Sequence, residues 1–78
     1  MDLEDVERRK SALGTLLEQM DVPKQNCDFH GPRAKRNLLW MTRNLSINNG
    51  DHPMFETAMN LVKDILRFSS KKRNIAHT

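Results

Sequence analysis

Cysteine is nearly absent from this chain. Cys27 stands alone in 78 residues, which excludes an internal disulfide and fits a reducing compartment. Tyrosine is missing, and the aromatics are Phe29, Trp40, Phe55 and Phe68. β-Branched residues are sparse outside helix-like patterns. Both features disfavour a sheet. No apolar run approaches the roughly 20 residues that a membrane-spanning helix needs. The opening MDLEDVERRK has no apolar segment of the secretory type. The expectation is a soluble, cytoplasmic protein that does not engage a membrane.

Catalytic patterns are also lacking. There is no glycine-rich phosphate loop, no HExxH and no nucleophile elbow. The acidic residues of the second half, Asp51, Glu56 and Asp64, form no carboxylate pair. Cys27-x-x-His30 has ligand-like spacing, with Asp28, His52 and His77 as possible completions. A zinc site wants four ligands in paired clusters, and here there is one half-pair. The same Cys and His lack a third group to orient them for nucleophilic catalysis. The sequence therefore predicts no enzyme, no metal and no cofactor.

Seventy-eight residues make one domain, near the lower limit for a core without staples. With a disulfide excluded, dimerisation is the remaining way to add buried surface.

What the chain does have is helical periodicity. From Asp51 to Phe68, the apolar residues Met54, Phe55, Ala58, Met59, Leu61, Val62, Ile65, Leu66 and Phe68 fall on half of a helix. A face that wide needs at least two neighbouring helices to cover it. Residues 2–20 read as a first helix, capped by Asp2, with Leu3, Val6, Leu13, Leu16, Leu17 and Met20 in one stripe. Glu4 with Arg8 and Asp5 with Arg9 have i,i+4 spacing. Gly14 weakens this helix unless it permits close helix contact. Residues 21–32 form a loop that is long for a bundle, and Val22, Cys27 and Phe29 are expected to tuck in as cover. Residues 33–47 read as a second helix, with Ala34, Leu38, Met41 and Leu45 along one narrow face. Asn48, Asn49 and Gly50 are expected to end it in a left-handed conformation. Asp51 or His52 then caps a third helix with Pro53 in its first turn.

The expected fold is an all-α three-helix bundle with helices at about 2–20, 33–47 and 52–69 and a long first loop. Residues 1–70 form the helical domain. Residues 71–78 form a basic tail that frays beyond about Lys72.

Charge is unevenly spread. Residues 1–30 hold four Lys/Arg against seven Asp/Glu, a net −3, and residues 31–78 hold nine against three, a net +6. Such a division permits a polyanionic partner, and equally an attraction between the two parts within one fold. On the second helix Trp40 projects away from the aliphatic face, at i+7 from Ile47 and with Arg33, Arg36 and Arg43 around it. Trp and Arg are the residues enriched at interface hot spots. Trp40 can instead pack against the first helix or the loop, with its arginines reaching to solvent.

The predicted function is a non-enzymatic helical interaction module, working through a protein partner or as a homodimer by way of Arg33, Arg36, Trp40, Arg43 and Ile47. The alternative is a nucleic-acid-binding accessory protein using Arg36, Trp40, Arg43, Lys71, Lys72 and Arg73. Arginines supply phosphate contacts and an indole supplies a stacking surface. A helix-turn-helix is not expected, because the last helix carries the widest apolar face and exposes Glu56 and Asp64.

Overall fold

The computed structural model describes the backbone of residues 2–77 and the side chains of residues 2–68. Three α-helices appear among them: α1 (Leu3–Gln19), α2 (Ala34–Asn48) and α3 (Phe55–His77). A single 3-10 turn lies at Lys24–Asn26, and no strand is present among the described residues. This is the expected all-α three-helix bundle. α3 continues past the end expected near residue 69. The side chains of residues 71–78, the expected basic tail, lie outside the described residues. No helix among the described residues is long and apolar enough to cross a membrane.

Local signals set the helix starts. The Asp5 N–H donates to Asp2 Oδ1 at 2.8 Å, so Asp2 caps α1. Ahead of α3, the Met54 N–H donates to His52 Nδ1 at 3.0 Å. His52 thus holds the turn that leads into α3, through the N–H of the residue before the helix. Pro53 falls in the turn before α3 rather than inside its first turn.

The left-handed position is not where the sequence suggested. Asn49 ends α2 at φ −128° and Gly50 has no positive φ. Gly50 serves close approach instead, since a Cβ there would lie 3.1 Å from the Ser46 carbonyl oxygen. Positive φ occurs instead at Asp21, at 60°, just beyond α1, and at Gly31, at 81°, in the loop before α2. The Asp21 N–H donates to Glu18 O at 3.1 Å and the Val22 N–H to Leu17 O at 3.0 Å. That pair of bonds satisfies the last carbonyls of α1 and turns Val22 inward over Leu17, both buried.

α3 is the central element and packs against both α1 and α2. Its buried Ala58, Met59, Val62 and Ile65 meet Val6, Leu13, Leu17 and Met20 of the first segment and Leu38, Met41 and Leu45 of α2 in one core. No polar or charged side chain is buried among the described residues. Gly14 plays no part in helix contact, because a Cβ built on it meets nothing within 4 Å.

The long first loop has a topological cause. Asn49 Nδ2 donates to the Met20 carbonyl at 3.5 Å, which places the ends of α1 and α2 together. His30 Nε2, near the start of α2, lies 2.9 Å from Glu7 Oε2, near the start of α1. α1 and α2 therefore run the same way, and α3 returns between them. A parallel pair needs a connection that climbs the length of a helix. For α2 that is about 22 Å, and twelve residues reach up to roughly 40 Å. The loop also covers the core on the way, with Val22 and Phe29 buried and Cys27 packed against it.

Charge pairs join the elements differently from the expected pattern. Arg8 serves both Glu4 and Asp5. Its hydrogen bond to Asp5 holds that carboxyl below its ordinary range. Arg9 does not pair with Asp5. It reaches across to Asp64 of α3 at 3.7 Å, because it sits half-buried at the α1–α3 boundary. This bridge joins a cation of the acidic part to an anion of the basic part, so it leaves the arginines of α2 unused.

Candidate interaction surface

α2 is amphipathic in an unusual way. Leu38, Met41 and Leu45 are buried against α3, as their spacing of three and four residues requires. Its other positions include Lys35, Arg36 and Arg43 but no acidic residue, and Arg33 stands at its N-cap without a side-chain cap bond. Cations at the start of a helix lie at the positive end of its dipole, a placement that works against helix stability. Among the described residues the ion pairs involve Arg8, Arg9, His30 and Arg67, and none involves Arg33, Arg36 or Arg43.

All three of these arginines are exposed. Ile47, one of the expected site residues, is 72% exposed. Trp40 is half-buried and packs against the core, so it is neither wholly core nor wholly surface. On a helix, residues three and four apart are neighbours, which puts Arg36 and Arg43 on either side of Trp40. Leu39 was not among the expected site residues. It is 52% exposed and lies between Arg36 and Arg43 at spacings of three and four. The signal was available in that spacing, but Leu39 also borders the aliphatic face, and periodicity alone does not say which neighbour claims it. The outcome is a continuous strip, Arg36–Leu39–Arg43–Ile47, edged by the half-buried Trp40.

At the far end of this strip lies an open cleft of about 360 Å³, lined by Ser46, Ile47, Asn48, Asn49, Gly50, Asp51 and His52. Residue pattern alone does not announce it. It lies where the end of α2 meets the turn that leads to α3. Ser46 and Asn48 are internally occupied: Ser46 Oγ donates to Thr42 O at 3.0 Å and Asn48 Nδ2 to Asn44 Oδ1 at 2.8 Å.

The other chemically interesting side chains are drawn apart. Cys27 Sγ donates to the Pro23 carbonyl at 3.4 Å, and burial pushes its thiol above the ordinary value. His30 turns to Glu7, and its own N–H donates to Asp28 Oδ1 at 3.1 Å. Asn37 Nδ2 donates to the Asp28 carbonyl at 2.8 Å. The His52 ring is engaged at the opposite end of the bundle, in the turn before α3. Among the described residues no three His, Cys, Asp or Glu side chains converge as metal ligands would. The side chains of Lys71, Lys72, Arg73 and His77 lie outside the described residues. Comparison with protein-family models, with curated proteins and with solved structures finds no match to this chain.

Proposed function

We propose that this protein is a non-enzymatic, cytoplasmic interaction module that contacts another protein chain through the outward face of α2. The observation that carries this reading is the exposure of Leu39 and Ile47 on the same strip as Arg36 and Arg43. Two large aliphatic side chains left in water on one helix form a surface that gains from being covered. Arginines that form no ion pair among the described residues supply directional contacts around them. Trp40, anchored on the core at its inner edge, gives the strip a rigid flank. The held thiol of Cys27 and the engaged rings of His30 and His52 support a non-catalytic role.

A second reading has an observation of its own. α2 and its N-cap carry four cations and no acid, which suits a phosphate backbone contacted by Arg36, Trp40 and Arg43, with Lys71, Lys72 and Arg73 as further contacts. Photo-crosslinking separates the two. A photoreactive residue at Leu39 or Ile47, introduced in native extract, is expected to trap a protein adduct, and the same residue at the exposed Thr57 of α3 is not. An adduct that disappears on nuclease treatment would transfer the function to the second reading. The absence of any adduct at Leu39 and Ile47 would remove both.

A further inference from the structure

Resting on the reading of α2 as a protein-contact face, we infer that its occupant is an acidic amphipathic helix of another protein. That helix lies along α2, with apolar residues over Leu39 and Ile47 and carboxylates on Arg36 and Arg43. The argument is one of charge and spacing. α2 has cations and no anions, so a second copy of α2 brought against it would set arginine against arginine. Like charges facing each other across an interface oppose association.

The acidic helix α1 of a second copy does not fit either. Its one exposed large apolar residue is Leu3, at the very end of the helix. Of the carboxylates that follow, Glu4 and Asp5 pair with Arg8 and Glu7 with His30, and the unpaired Glu18 lies at the opposite end of the helix from Leu3. Such a surface lacks two exposed large apolar groups at the spacing of Leu39 and Ile47, with carboxylates beside them. That spacing is eight residues, about 12 Å along a helix. A partner helix has the same rise per residue and repeats its own apolar and acidic positions in register.

An extended segment is a poorer match. No sheet edge exists among the described residues to pair its backbone, so such a segment would gain no main-chain hydrogen bonds from this face. A phosphate backbone meets the arginines but has nothing to place over the two aliphatic side chains between and beyond them.

The test uses the full-length, isotope-labelled protein and four probes: a synthetic Glu/Leu amphipathic helical peptide with leucines at the Leu39–Ile47 spacing, its Lys/Leu counterpart, a short DNA duplex and a short single-stranded RNA. The expected result is a monomer in which the Glu/Leu peptide alone shifts the amide resonances of Arg36, Leu39, Arg43 and Ile47. Arg36→Gln with Arg43→Gln, and separately Leu39→Ser with Ile47→Ser, should each weaken that binding by at least about tenfold. All four positions are exposed, so these variants should keep the helical spectrum and the thermal transition of the parent. Equal binding of the Lys/Leu peptide, no binding of the Glu/Leu peptide, or shifts confined to another face overturns the inference. A dimer that protects Leu39 and Ile47 overturns it too, while leaving protein contact through this face intact. Nucleic acid displacing the peptide from α2 overturns the acidic helix and the protein-contact reading together.

Discussion

His30 Nε2 lies 2.9 Å from Glu7 Oε2, and this contact ties the end of the first loop to the first turns of α1. Both side chains are exposed, so the pair itself adds little stability. Its position matters more. It marks the point where the chain, having climbed the bundle from Met20, is ready to start α2 in the same direction as α1. The loop is therefore a structural strut as well as a connection, and Phe29 is its anchor.

Phe29→Ala is expected to cost about 3–5 kcal/mol, because the ring is almost completely buried and leaves a cavity. For a domain of this size that is a large share of the total stability. Leu39→Ala, on the exposed strip, should change stability by no more than about 0.5 kcal/mol. Urea denaturation of both variants checks the contrast. Similar midpoints would mean that the loop is not cover.

Asp21→Gly is expected to stabilise the protein by about 0.5–1 kcal/mol. It relieves the left-handed backbone at φ 60° and removes a negative charge from the negative end of the α1 dipole. Asp21→Asn removes only the charge and should give a smaller gain. Thermal unfolding of the pair separates the two causes. A loss of stability in Asp21→Gly would show that the carboxylate has a favourable role.

Gly14→Ala should add up to about 1 kcal/mol, since the position is mid-helix and a Cβ meets open space. A decrease in the thermal midpoint would mean that something approaches Gly14 closely in solution.

The Cys27 thiol should ionise at a higher pH in the folded protein than in urea, because burial disfavours the thiolate. The sign for stability follows. Above the ordinary thiol value of 9.0 the unfolded chain releases this proton before the folded chain does. The contribution of Cys27 to stability therefore declines as pH rises through that window. Thiolate absorbance against pH, with and without urea, measures the displacement, and coincident curves would contradict it.

Much of the fold was legible before any coordinates. The half-apolar circumference of the third helix required two covering helices, and α1 and α2 provide them. The Asp2 cap and the aliphatic face of α2 followed from residue type and spacing. The helix ends were less legible. Asn-Asn-Gly looked like a left-handed terminus, yet α2 ends without one, while Asp21 takes that conformation because Val22 is pulled over Leu17. The candidate strip was legible in part: Arg36, Arg43 and Ile47 could be named, but Leu39 and the turn cleft could not.

Periodicity is a property of neighbours along a chain, so residue order is enough to set the three helices, their inward faces and the one-sided charge of the second. It carries no measure of distance between segments. Packing in three dimensions sets the parallel run of α1 and α2, gives Arg9 to Asp64 rather than Asp5, and leaves Trp40 half-buried. It also decided that Leu39 faces solvent with the arginines. Each of these depends on which helix lies beside which, and that is fixed by packing around α3.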